Sequence, residues 1–179
     1  MQIDEASLRQ SIIEQIQSLD KIANEENYPI KHVKPHGALY NEAAKDNALA
    51  ELIAACVLAI NPRLSLWGPP QSALEKAAAT LNIHFVAEGF ADRTYQADGS
   101  LTPRTAPNAL IKSEAECLQQ VGQLLTATTI TATNGKEIDC KVQTICIHGD
   151  GPHALSFTQR INQFLRNKAI LIKSPHESA

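Results

Sequence analysis

Aromatic side chains are scarce in this sequence, with phenylalanine, tryptophan and tyrosine making up 4% of its 179 residues. So thin a supply argues against a stacking platform for nucleic-acid bases. Positive charge is not in excess either: the formal net charge is −3, which leaves no electrostatic footprint for nucleic acid or an anionic lipid surface. The longest apolar run, Leu52 to Ile60, falls far short of the roughly 20 residues that cross a bilayer. The opening Met1-Gln2-Ile3-Asp4-Glu5 has neither the cationic nor the apolar region of a secretory signal, so a soluble, cytoplasmic protein is expected. Four cysteines, Cys56, Cys117, Cys140 and Cys146, form no Cys-x-x-Cys pair and no zinc-ligand spacing, and they read as reduced packing residues. Three nucleotide- and nucleophile-bearing motifs are also missing: the Gly-x-x-x-x-Gly-Lys-Ser/Thr loop, the Gly-x-Gly-x-x-Gly fingerprint and the Gly-x-Ser-x-Gly elbow.

What is present is ordinary globular material, 44% hydrophobic and 20% charged. A chain of this length buries roughly 70% of its unfolded surface, enough for one domain over residues 1–179. Leu8, Ile12, Ile16 and Leu19 recur at helical spacing behind Asp4 as a cap, and Pro29 ends that helix. Asp46 caps a second helix with a stripe of Leu49, Ile53, Val57 and Ile60. Ser72 to Leu81 and Ala154 to Arg166 read as further helices, and Ser113-Glu114-Ala115-Glu116 has the spacing of a capping box. Short strands are expected at Ile30–Lys34, Leu64–Trp67, His84–Ala87 and Thr144–Ile147, with a hairpin around Asn134-Gly135 in the stretch 130–138.

Apolar strands alternating with amphipathic helices define an α/β protein with a parallel sheet, whose ligands bind beyond the carboxyl ends of the strands. Three polar segments each follow an expected strand, so all three should meet at one rim. In the first, a loop to Asn41, Pro35 and Gly37 set a turn around His36, an imidazole able to exchange protons near neutrality, and Lys34 can neutralise a carboxylate or phosphate. The second, 88–105, offers Glu88 and Asp92 as a base and a structural anion. Its Arg93 and Arg104 have the fork geometry for a substrate carboxylate. In the third, glycines 149 and 151 expose backbone N–H groups to an anion, and Asp150 can orient His148, act as a base or cap the last helix. His148, Asp150 and His153 could also ligate a metal, but their spacing matches no recognised pattern.

Three stretches together carry a resemblance: Val33-Lys34-Pro35-His36-Gly37-Ala38-Leu39-Tyr40-Asn41, Glu88-Gly89-Phe90-Ala91-Asp92-Arg93-Thr94-Tyr95 and Cys146-Ile147-His148-Gly149-Asp150-Gly151-Pro152-His153. They resemble the LamB/YcsF family. That resemblance implies an incomplete (β/α) TIM-like barrel of the glycoside hydrolase/deacetylase type. It also implies the role of the A subunit in an ATP-dependent 5-oxoprolinase, opening 5-oxo-L-proline to L-glutamate beside subunits B and C. ATP, with Mg as its counter-ion, is the implied co-substrate, and no tightly bound metal is expected. The resulting catalytic candidates are His36, Asp92, His148 and Asp150. The candidates for substrate contact are Lys34, Tyr40, Asn41, Glu88, Arg93, Tyr95, Arg104 and His153.

The family pattern also has Asp-Leu-Asn-like, Ala-Cys-Gly-Phe-His-Ala-Gly-Asp-like and Gly-Ala-His-Pro-like segments upstream, which this sequence does not contain. The expectation is therefore a chain resembling the C-terminal two-thirds of the barrel, a poor catalyst by itself, with an open edge through which it self-associates or pairs with another chain. Two alternatives of other classes are a truncated, non-catalytic binding or assembly module and, by analogy of fold alone, a metal-dependent deacetylase-like hydrolase.

Overall fold

Asp4 opens the first helix as its position predicts: its carboxylate accepts the Ser7 N–H at 2.9 Å, and α1 runs over Glu5–Glu25. In this computed structural model, residues 3–175 are described. The chain packs as two compact units, one ending at Val86 and the other starting at Ala87.

In the first unit α1 is followed by β1 (His32–Val33), α2 (Gly37–Ala43), α3 (Asn47–Ile60), β2 (Ser65–Gly68) and α4 (Ala73–Thr80). Strands β1 and β2 pair in parallel, with His32 opposite Ser65 and Val33 opposite Leu66. Asp46 and Ser72 cap α3 and α4 by accepting the N–H groups of Leu49 and Glu75. Their apolar stripes close on Ile12 and Ile16 of α1 to form a core that includes Ile53, Val57, Leu66 and Leu74. Gly68 is needed in that core for room, because a Cβ there would lie 3.1 Å from Leu74 Cδ1 and 3.3 Å from the Phe85 ring. The expected loop to Asn41 is corrected: α2 forms there, burying Tyr40 and Ala43 on one face. Pro35 and Gly37 read as loop punctuation, yet Gly37, at φ +61°, serves as the turn into this short helix.

Strand β3 spans Phe85–Phe90, and the second unit continues with α5 (Glu114–Thr126), β4 (Thr129–Thr131), β5 (Glu137–Asp139), β6 (Thr144–Cys146) and α6 (Ala154–Asn167). Glu88, Gly89 and Phe90 lie opposite Thr144, Ile145 and Cys146 in a parallel pairing, which extends β3 past the expected end at Ala87. The hairpin forms as expected, β4 antiparallel to β5, with Gly135 at φ +82°. Cys117 and Val121 of α5 pack with Phe157, Ile161 and Leu165 of α6. At Gly89 a Cβ would lie 3.1 Å from both Leu124 of α5 and Val142, so α5 approaches the strand where a side chain is missing.

Two expected caps take another form. Ser113 occupies the N-cap of α5 but makes no side-chain cap bond. The N-cap of α6 is His153, not Asp150, because the Gly151 carbonyl accepts the Ala154 N–H and the chain turns once more before the helix begins. Among the described residues no helix is long and apolar enough to cross a membrane.

Candidate functional site

Parallel pairing of β3 with β6 fixes what meets at their carboxyl ends. Phe90 lies opposite Cys146, so two residues further along each chain bring Asp92 beside His148. The His148 backbone N–H donates to Asp92 Oδ2 at 2.9 Å, and its ring Nδ1 lies 3.1 and 3.0 Å from Oδ1 and Oδ2. The Phe90 ring stacks on the imidazole, centroids 5.2 Å apart. Burial pushes the Asp92 carboxyl up, but the hydrogen bonds and charge of His148 outweigh it and hold the group below its ordinary value. An ionised carboxylate only accepts, so Nδ1 carries the shared proton and, in the neutral ring, Nε2 keeps its lone pair.

The backbone around Asp92 is tied on every side. Ala91 N–H donates to the Cys146 carbonyl at 2.9 Å, and the Asp92 carbonyl accepts from Ile111 N–H at 3.0 Å. Arg93, 3% exposed, sends Nε to the Ala109 carbonyl at 3.2 Å and Nη2 to the Thr102 carbonyl at 2.6 Å. Those donors bind the loop to itself, and burial together with the nearby Arg104 charge lowers the guanidinium pKa. Tyr95 is also buried. Its hydroxyl oxygen accepts the Phe90 N–H at 2.7 Å, and burial raises its pKa well above the ordinary value. Glu88 is buried within β3.

Arg104 and Asp150 form an ion pair of 3.2 Å on the exposed rim of the same unit. The Arg104 hydrogen bond and charge hold the Asp150 carboxyl below its usual range. A pair this exposed adds little stability and can exchange partners readily. His153 is exposed and stacks on Phe157, centroids 5.6 Å apart. Among the described residues no group of three or more His, Cys, Asp and Glu side chains is placed to hold a metal ion. Burial pushes the Cys117 and Cys140 thiols up to about 12 and about 11, which leaves them protonated near neutrality.

The first polar segment belongs to the other unit. There Lys34 and His36 line a cleft of about 610 Å³ walled by Ile12, Ile16 and Leu39. Tyr40 is buried in α2, and Asn41 Nδ2 donates to the Gly37 carbonyl at 3.2 Å.

Two glutamines were missed by reading motifs. Gln143 faces Ala87 with both its side chain and its backbone: Oε1 accepts the Ala87 N–H at 2.8 Å, and its own N–H donates to the Ala87 carbonyl at 2.8 Å. Gln120, 7% exposed, donates from Nε2 to the carbonyls of Phe90 and Arg93 at 2.6 and 2.8 Å. A signal for Gln120 was available: it interrupts the buried stripe Cys117, Val121, Leu124, where an amide needs partners.

Fold and geometry together define an α/β protein with an Asp–His pair at the carboxyl ends of parallel strands β3 and β6. A family model described as the LamB/YcsF family matches residues 1–179, and the chain belongs to that family. It is 43% identical over 173 residues to the 5-oxoprolinase A subunit of Oceanobacillus iheyensis, covering 97% of this chain and 67% of the relative. The protein of the same name from Bacillus subtilis is 41% identical over 166 residues, with 93% and 65% covered. The crystal structure of a lactam utilization protein from Thermus thermophilus superposes with a TM-score of 0.87 at 29% identity, over 97% of this chain and 69% of that one. The chain thus spans about two thirds of the length of these relatives.

The depressed Asp92 value carries a stability consequence. A carboxyl with a lower pKa in the folded than in the unfolded state adds stability above its unfolded value, about 3.9, and loses it as pH falls through the folded value. Thermal melts of Asp92→Asn should therefore fall less steeply than those of the unaltered chain below about pH 4. Parallel curves would mean that the contact with His148 does not hold the group ionised.

Proposed function

We propose that the chain acts in the cytoplasm as the A subunit of a 5-oxoprolinase, with subunits B and C, opening 5-oxo-L-proline to L-glutamate with ATP hydrolysis. The observation that carries this reading is the Asp92–His148 contact, 3.0 Å from Nδ1 to Oδ2, in a family whose curated relatives are named for that enzyme. The same reading takes the parallel strands as part of a glycoside hydrolase/deacetylase-like barrel.

His148 is the acid–base group in this scheme. Its Nε2 lone pair takes a proton from the water that attacks the lactam carbonyl carbon, and the imidazolium that forms is stabilised by Asp92. The same Nε2 then returns the proton to the departing ring nitrogen, so the amide bond breaks with the proton balanced. ATP, when bound, would supply a phosphoryl group that makes the lactam oxygen a better electron sink, and after the ring opens a second water would displace that group as inorganic phosphate, leaving the free carboxylate. Residues that fit a phosphate are Arg104, whose guanidinium is exposed, and the turn at Gly149, where no heavy atom lies within 4 Å of a Cβ position. A phosphate there would take Arg104 from Asp150.

The test is a coupled assay of glutamate and phosphate release from 5-oxo-L-proline and ATP, using this chain with subunits B and C. His148→Ala is expected to lower turnover by at least about 10²-fold. Loss of activity in the unaltered chain, beside an active full-length relative, would replace this reading with a non-catalytic binding module. Full turnover in His148→Ala would remove the imidazole from the mechanism.

A further inference from the structure

We propose that Gln120 is a positioning residue for this site, setting the tautomer of His148 from a distance through the backbone that carries Asp92. The inference rests on the acid–base reading above and extends it to a side chain outside the three polar segments.

Asp92 lies beyond the end of β3, where the backbone is held by the Ala91 N–H bond to the Cys146 carbonyl and the Ile111 N–H bond to the Asp92 carbonyl. A carboxylate on such a segment can swing, and a small rotation would trade its Nδ1 contact for water. Gln120 limits this further by spanning the segment. Its single Nε2 reaches the carbonyl two residues before Asp92, at Phe90, and the carbonyl just after it, at Arg93. Both amide hydrogens are thereby used, and the opposite amide orientation would set Oε1 against two carbonyl oxygens, so hydrogen-bond chemistry fixes which way the side chain points. The donor comes from α5, a helix of the same unit anchored by Cys117, Val121 and Leu124. Tyr95 completes the hold from the other side of the Phe90 peptide by accepting its N–H at 2.7 Å. Elements remote in sequence therefore fix the short stretch bearing the acid, which is the arrangement that preorganises a functional group rather than leaving it to fluctuate.

Gln120→Met keeps length and bulk but removes both donors. Two readouts apply, both on the full chain. In ¹⁵N-detected NMR of the histidine rings, unaltered protein should show His148 with a protonated Nδ1 and an unprotonated Nε2 at a pH where the ring is neutral. Gln120→Met should show a mixture of the two tautomers. In the assay with subunits B and C, kcat should fall about tenfold, a modest part of the general acid–base contribution, while KM stays within about twofold. Unchanged ring spectra and unchanged kcat would overturn the proposal, as would a loss of kcat matched by an equal loss of folded protein. If Gln120→Met does not fold, Gln120→Asn, which keeps the amide but withdraws it by one methylene, is read in the same way. Failure of the acid–base reading itself would look different: His148→Ala would retain turnover whatever the Gln120 variants did.

Discussion

Replacing Asp92 by asparagine should lower kcat for lactam opening by at least about 10²-fold while the chain stays folded. The argument turns on which atoms face His148. Aspartate offers two accepting oxygens, one for the His148 backbone N–H at 2.9 Å and both within 3.1 Å of Nδ1. Asparagine offers one oxygen and one NH₂. If the oxygen keeps the backbone N–H, the NH₂ points at Nδ1, which must then present a lone pair, and the ring proton moves to Nε2. The base has lost its lone pair while the geometry has barely changed, the outcome known from Ser-His-Asp enzymes when their aspartate becomes asparagine. Steady-state kinetics with subunits B and C measure the effect, and the histidine ring ¹⁵N spectrum checks the cause. A kcat within about twofold of the unaltered chain would show that the pair is structural only.

Leu74→Ala should destabilise the first unit by about 2–5 kcal/mol, since Leu74 is fully buried and its truncation leaves a cavity. Gly68 makes the test sharper. Alone, Gly68→Ala presses a methyl to 3.1 Å from Leu74 Cδ1 and 3.3 Å from Phe85, and such overpacking costs about 1–3 kcal/mol. In the Leu74→Ala background that methyl enters space the leucine has vacated. The double variant is therefore expected to be more stable than the sum of the two losses, with a coupling of about 0.5–3 kcal/mol. Urea denaturation followed by the fluorescence of Trp67, the sole tryptophan and a neighbour of Gly68 in β2, reads this directly. Strict additivity would mean that the two side chains do not compete for the same volume.

Much of this architecture could be read in the sequence because its signals are local. Asp4 and Asp46 each make the cap bond that their positions predict, and the four short strands begin within two residues of where alternation of apolar and turn residues places them, although β3 runs three residues past its expected end. That the segments of Asp92 and His148 leave neighbouring parallel strands at one edge was legible from the strand ends, but the acid expected to orient His148 was Asp150, which pairs with Arg104 instead. Three things were not local enough to read. Seven residues of helix at α2 hide behind Pro35 and Gly37, which mark a turn whether or not a helix follows. Arg93 and Tyr95 were visible as a guanidinium and a phenol. Yet nothing in their spacing shows that both point inward, so their work is to hold the loop and the Phe90 peptide. Gln120 is far from every polar segment in sequence, and its role depends on tertiary distances to two carbonyls.

The bare position at Gly89 has a reach beyond its own strand. Because nothing projects there, Leu124 settles against the backbone, and one helical turn earlier on α5 the amide of Gln120 lies close enough to grip both carbonyls flanking Asp92. A Cβ added at residue 89 would meet Leu124 and Val142 at 3.1 Å, so those side chains would have to give way beside that amide. A single hydrogen atom in place of a methyl group thus leaves room for the helix whose amide keeps the imidazole aimed.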